Sequence, residues 1–171
     1  HSSFAQNVAP VIPDLKDLTL NEDGSASVFI IATDANNDSL IYSAESDTNK
    51  IYAVFTETSN LTISPKSNWY GTDNISVIVS DGFLQDTASF KVAVLPVNDP
   101  PVLSIIPSDT TFEDVALTVP VIASDVDDSV LTYSFLADTA LLDLVFKKDS
   151  LTLTPRSNYF GSTLVSVMVK D

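Results

Sequence analysis

Short stretches of alternating or β-branched residues run along the chain: Ser25 to Ala32, Leu40 to Ser43, Ile51 to Thr56, Leu61 to Ser64, Ile75 to Ser80 and Ala88 to Leu95. Each lasts only a few residues and is bounded by Asn, Asp, Gly or Pro, the punctuation of strands and tight turns. No segment keeps apolar residues at a helical spacing between capping signals, so no helix is predicted. About seven strands over roughly 90 residues suit an all-β Greek-key sandwich of the immunoglobulin type. The Cys…Trp…Cys signature of antibody domains is missing, since the chain has no cysteine.

The pattern is written twice. A shift of 91 carries Glu22-Asp23 onto Glu113-Asp114, Ala32-Thr33-Asp34 onto Ala123-Ser124-Asp125, and Leu40-Ile41-Tyr42-Ser43 onto Leu131-Thr132-Tyr133-Ser134. After a one-residue deletion, Leu61-Thr62-Ile63-Ser64-Pro65-Lys66-Ser67-Asn68-Trp69-Tyr70-Gly71 meets Leu151-Thr152-Leu153-Thr154-Pro155-Arg156-Ser157-Asn158-Tyr159-Phe160-Gly161. Such a period is a whole small domain rather than one turn of a solenoid. The reading is therefore two tandem sandwiches: an N-terminal segment or linker over 1–10, domain one over 11–99 and domain two over 100–171. The boundary Val97-Asn98-Asp99-Pro100-Pro101-Val102 repeats Asn7-Val8-Ala9-Pro10-Val11, and its prolines predict a short stiff connector. Domain one continues past Val79-Ser80-Asp81 into a last strand, whereas the second copy stops at Asp171. Domain two is expected to lack its final strand and to show an open edge. That edge should be frayed, paired with another chain in a strand-swapped dimer, or filled by a borrowed strand such as the N-terminal segment. The start, His1-Ser2-Ser3, reads as a tag residue on an excised piece of a longer array.

Composition narrows the partners. Acidic residues number 23 against 8 basic, a net charge of −15, which disfavours nucleic acid and anionic membranes. The excess is shared by both halves, so bound cations would relieve repulsion in each. Hydrophobic content of 44% supports real cores. No apolar run approaches the ~20 residues that span a bilayer, so no membrane insertion is expected. His1 is the only histidine, and with no cysteine the usual nucleophile–base pairs have no members. The chain is read as non-enzymatic.

Four motifs in order, each present in one or both copies, carry a resemblance: Asn-Asp-Pro-Pro-Val, Ala-Ser-Asp-Val-Asp-Asp (123–128), Thr-x-Pro-x-Ser-Asn-aromatic-x-Gly and Val-Ser-Asp-Gly (79–82). Over nearly its whole length the chain resembles the cadherin-like repeats of bacterial surface proteins, related to the dystroglycan-type cadherin-like and bacterial immunoglobulin-like families. The resemblance implies calcium between successive domains. Glu22 matches the first-turn glutamate, Asn98 and Asp99 the connector ligands, Asp125 and Asp127 the Asp-x-Asp pair, and Asp171 the aspartate ending the penultimate strand. Asp34, Asn36, Asp38 and Asp81 repeat the domain-two half at the start of domain one, as a weaker half-site. This set offers the hard oxygens calcium prefers. Two family carboxylates are replaced, by Lys66-Ser67-Asn68-Trp69-Tyr70 and by Pro96, which implies one or two ions per junction; Asp73 is a candidate to compensate.

The function implied is an extracellular or cell-surface spacer or adhesive module, with other cadherin-like domains of the same or a neighbouring chain as partners. Blander readings compete. Asp125-Val126-Asp127 could be an Asx-type turn, and Glu22 an exposed turn residue. Asp34 to Glu45 imitates an EF-hand loop but lacks its central glycine and runs into a strand. The alternative function is a carbohydrate-binding module for cell-surface polysaccharide, built on Trp69-Tyr70. Tyr159-Phe160 at the same place in the second copy favours a core role for these rings instead.

Overall fold

The computed structural model of the chain describes residues 6–171, and the reading of His1 lies outside them. It divides into two compact units, the first ending at Val97 and the second spanning Asn98–Asp171. Both are built of strands, with no helix among the described residues.

Unit 1 contains β1 (Leu18–Asn21), β2 (Ala26–Phe29), β3 (Ile41–Ser46), β4 (Ile51–Glu57), β5 (Asn60–Pro65), β6 (Gly71–Ser80) and β7 (Gln85–Leu95). One sheet has the order β1-β7-β6-β3 and the other β2-β5-β4. Strict alternation in β5, β6 and β7 turns Leu61, Ile63, Ile75, Val77, Val79, Phe90, Val92 and Val94 inward. Ile12, Ile30 and Ile51 complete the core. Each such side chain contributes about 1.5–3 kcal/mol by leaving water. Asp23, Asn37, Asn49 and Asn68 take positive φ at the turns, a conformation Asn and Asp tolerate better than other side chains. Asp114 and Asn158 do the same at the matching places of unit 2.

Unit 2 contains β8 (Val102–Leu103), β9 (Leu117–Pro120), β10 (Ala123–Ser124), β11 (Thr132–Leu136), β12 (Leu142–Lys147), β13 (Ser150–Pro155) and β14 (Ser166–Lys170). Its sheets are β12-β13-β9, β11-β14 and the short pair β8-β10. The one-residue deletion between the copies has a structural cause. In β4 the register slips between Phe55 and Glu57, leaving Thr56 as an extra residue, whereas β12 pairs with β13 without interruption. The second copy has dispensed with a bulge.

The expected open edge is present. β14 pairs with β11 alone, and the described residues of unit 2 hold no counterpart of β7. Two further differences follow. In unit 1 the segment Gly71–Asn74 ladders only with β7, apart from the Asp47 amide on the Asn74 carbonyl (3.1 Å), and β1 pairs only with β7. Their counterparts, 161–164 and 109–112, are not strands. The contiguous buried cluster of unit 2 accordingly shrinks to Val119, Val121 and Leu151, with Leu142 buried outside it. The N-terminal residues from Asn7 to Ile12 pack within unit 1, through a bridge of Val11 to Thr33 and the buried Ile12.

Candidate metal centre

In each unit the turn after a short paired segment presents an aspartate whose two oxygens have different fates. In unit 1, Asp34 Oδ1 accepts the amides of Asn36 (2.8 Å) and Asp38 (3.1 Å). These bonds, with the positive φ of Asn37, fold residues 34–38 into an Asx-type loop. Its Oδ2 is buried with no hydrogen-bond partner. Asn36 Oδ1 accepts the amide of Val8 (2.8 Å), which ties the incoming chain to the loop. Asp81, at the end of β6, accepts the amides of Phe83 and Leu84 (2.7 Å each) on Oδ1 and the Asn7 side-chain amide (2.8 Å) on Oδ2. The Leu84 and Phe83 amides, more than the Asn7 side chain, hold the Asp81 carboxyl below its ordinary pKa against the opposing effect of burial.

The outcome is a group of carboxylates. Oxygens of Asp34, Asp38 and Asp81 lie within 4.8 Å of one another, with Asp81 buried and Asp34 half-buried. Three like charges so placed repel, and a buried carboxylate oxygen without a donor is destabilising.

Unit 2 repeats the loop and its tie to the incoming chain, but not the close group of three carboxylates. Asp125 Oδ1 accepts the amides of Asp127 and Asp128 (2.8 Å each), and its Oδ2 is likewise buried and unpartnered. Asp127 Oδ2 accepts the amide of Asp99 (2.7 Å), as Asn36 accepts that of Val8. The Asn98 side-chain amide donates to Asp171 Oδ2, as Asn7 does to Asp81. The composition differs: Ser129 stands in place of Asp38, while Asp127 and Asp99 stand in place of Asn36 and Val8.

In unit 1 the structure gathers Asp34, Asp38 and Asp81, with Asn36 in the same loop; in unit 2 it links Asn98 to Asp171, Asp99 to Asp127 and Asp127 to Asp125 in pairs, and among the described residues no three carboxylates there approach as closely. Glu22 sits elsewhere in unit 1. It is buried, 4% exposed, and Oε1 accepts the amide of Val97 (2.7 Å), while its own amide donates to the Leu95 carbonyl (2.9 Å). Glu22 therefore pins the chain as it leaves β7. Asp73, the candidate to compensate for the replaced carboxylates, stands in a strand rather than a loop. It lies buried in β6 and accepts the hydroxyls of Ser46 (2.5 Å) and Thr48 (2.8 Å). Asn7 was not picked out from the sequence, although the shift of 91 that places Asn98 in its site points back to it.

Trp69 is half-buried and packs against the core of unit 1. Its ring covers Gly71, where an added Cβ would come within 3.2 Å of it, and Tyr159 covers Gly161 in the same way.

Residues 7–93 and 98–171 each match the family model for the bacterial Ig domain. Among solved structures, the chain is similar to the EC1-2 fragment of human protocadherin-24, at 20% identity and a TM-score of 0.50, covering 94% of this chain and 86% of that one. Titin domains z1z2, crystallised in complex with telethonin, align at 15% identity and a TM-score of 0.42 over 95% of both chains. An endo-fucoidan hydrolase of glycoside hydrolase family 107 aligns at 16% identity and a TM-score of 0.44, over 98% of this chain and 29% of its own. No curated protein matches.

Proposed function

This chain belongs to the bacterial Ig domain family in both of its repeats, and from that premise we propose that it is a calcium-binding structural or adhesive module of an extracellular protein. Domains of this family are typically extracellular or surface-associated and non-enzymatic. No helix among the described residues is long and apolar enough to cross a membrane.

The observation that carries calcium is the orphaned oxygen found twice at equivalent places, Asp34 Oδ2 and Asp125 Oδ2, the first of them on a residue grouped with the carboxylates of Asp38 and Asp81. A buried anionic oxygen without a donor calls for an ion or a water. The donor set around it is all oxygen, which suits a hard divalent cation taking six to eight such ligands. Asp34, Asp38 and Asp81 would hold the ion in unit 1, with Asn36 nearby. Asp125, Asp127, Asp171 and Asp99 would hold it in unit 2, with Asn98 orienting Asp171. Glu22 is the ligand that only the family resemblance adds. Bound calcium would supply neutralisation of the clustered charge. The chain's own part is to fasten each repeat's incoming segment, Asn7-Val8 or Asn98-Asp99, to the acidic loops that follow it. Fastening Asn98-Asp99 stiffens the connector, which is what a spacer or adhesive rod requires.

A calorimetric calcium titration tests this reading, comparing the parent chain with an Asp125→Ala, Asp127→Ala double variant. Saturable binding in the parent, weakened in the variant, is expected. A flat titration of the parent with unchanged melting in EDTA would sink the proposal. The carbohydrate-binding alternative requires an exposed Trp69 platform, and the ring's packing over Gly71 gives it no support.

A further inference from the structure

The three-stranded sheet of unit 1, β2-β5-β4, has two unlike faces. Val28, Phe55, Leu61 and Ile63 turn inward onto the core. Outward stand Phe29 on β2 (68% exposed), Tyr52 and Val54 on β4 (56% each), and the half-buried Asn60, Thr62 and Ser64 on β5. The register sets Ser64 beside Tyr52, Thr62 between Val54 and Ser27, and Asn60 beside Phe29. Large apolar side chains on the two outer strands, ~10 Å apart across two strand spacings, thus flank a low polar furrow along β5. All seven strands of unit 1 pack without covering it.

The charge of this sheet departs from that of the chain. Against a net −15 overall, the charged residues of its three strands and of the positions adjoining them are Lys50, Lys66 and Glu57. The Lys66 amide donates to the Lys50 carbonyl (2.8 Å), which sets the two residues side by side at one end of the furrow. Lys66 Nζ lies 5.9 Å from the centroid of the Tyr52 ring. Neither lysine has an ion pair among the described residues. Unit 2 supplies the contrast. There Asp143 stands in place of Tyr52 and pairs at 2.7 Å with Arg156, which stands in place of Lys66, while Leu141 replaces Lys50. One copy neutralises its cation internally, and the other leaves two cations beside an aromatic ring. We propose that this face of unit 1 binds an anionic polysaccharide. A uronate or sulfate group sits on Lys50 and Lys66, the apolar face of a sugar lies against Tyr52, and sugar hydroxyls bond Ser64 and Thr62. Complementary charge selects this occupant, because the unpaired lysines favour an anion at that end. A polymer charged on every unit, as nucleic acid is, would meet the net −15 with only these cations to hold it. The face does not involve the Trp69 ring.

Affinity electrophoresis of the full chain in native gels tests this, with EDTA present so that calcium takes no part. The probes are hyaluronan, which carries a carboxylate on alternate sugars, kappa-carrageenan, which carries a sulfate on alternate sugars, and uncharged dextran. Retardation by hyaluronan or carrageenan and none by dextran is expected, and which of the two acts identifies the anion. Lys50→Gln together with Lys66→Gln should weaken retardation ~tenfold or more, and Tyr52→Ala ~tenfold. Removing the same charge from unit 2, by Lys147→Gln together with Lys148→Gln, should leave it unchanged. All five side chains are exposed, so each variant keeps its fold. No retardation by either anionic polymer overturns the proposal, as does equal retardation by dextran or an equal loss in the Lys147, Lys148 variant. Retardation by single-stranded DNA as strong as by the polysaccharides gives the face to another partner and overturns it too. So does self-association in polymer-free solution that Tyr52→Ala abolishes.

Discussion

Replacing Asp34 by asparagine separates a metal-binding loop from a merely structural turn. The asparagine keeps an oxygen in the place of Oδ1, where the amides of Asn36 and Asp38 donate at 2.8 and 3.1 Å. The turn therefore survives under either account. What changes is Oδ2, the buried oxygen without a partner, which loses its charge. At 4.8 Å, the outer limit of spacing in the Asp34, Asp38 and Asp81 group, two unit charges repel by about 0.9 kcal/mol in water and about 3.5 kcal/mol at an effective permittivity of about 20. Salt at physiological strength screens beyond about 8 Å, so most of this short-range repulsion remains. A relief of about 1 kcal/mol is a conservative figure, worth a rise of about 4–8 °C in Tm for a domain of this size. Calcium reverses the order. At about a hundred times its Kd the ion adds about 2.7 kcal/mol to the parent. Loss of one ligand charge lowers affinity, and a hundredfold loss leaves only about 0.4 kcal/mol of that gain. The Asp34→Asn variant should thus melt above the parent in EDTA and below it in calcium. Scanning calorimetry of the full chain in both buffers reads the crossing. A variant displaced from the parent by the same amount in both buffers refutes the reasoning, and Asp34 is then a turn residue only.

Three further outcomes are expected. Because the folded-state pKa of Asp81 is depressed, its contribution is present above the ordinary value of 3.8 and lost as pH falls through the lower folded value. Urea midpoints in EDTA should therefore drop below about pH 4, and less so for Asp81→Asn; identical acid profiles would contradict this. Gly71→Ala places a Cβ 3.2 Å from the Trp69 ring at φ 142, whereas Gly82→Ala, at φ 95, meets open space. The first should cost about 1–3 kcal/mol by chemical denaturation and more than the second. Equal costs would show that ring packing does not matter there. Ser46→Ala removes one of two hydroxyls serving the buried Asp73 carboxylate and should destabilise unit 1 by about 1.5–3 kcal/mol. No change in midpoint would mean that Asp73 is satisfied without it.

How much was legible beforehand differs by feature. Alternation in Ile75 to Ser80 and Ala88 to Leu95 predicts both strands, because which face a residue takes is set by its neighbours two positions away. The true β6 begins earlier, at Gly71, since that half is held by pairing with β7 rather than by its own pattern. The acidic loops were legible for a covalent reason: the shift of 91 lays Asp34 on Asp125 and Asn7 on Asn98 whatever the chain does in space. Aspartates at turns also declare themselves by local amide bonds spanning two to four residues.

The amino-acid sequence by itself thus determined the two-domain repeat, the strand alternation and the position of each carboxylate in a turn, all set by short-range chemistry. Only the tertiary structure decided which oxygens are satisfied. Asp73 is occupied by Ser46 and Thr48, Glu22 by Val97 across a separation of 75 residues, and Asp81 by Asn7 across 74. Asp34 Oδ2 and Asp125 Oδ2 are left over only after all these distant partners have been assigned. Hydrogen-bond satisfaction is a property of three-dimensional neighbours, and no local pattern records it.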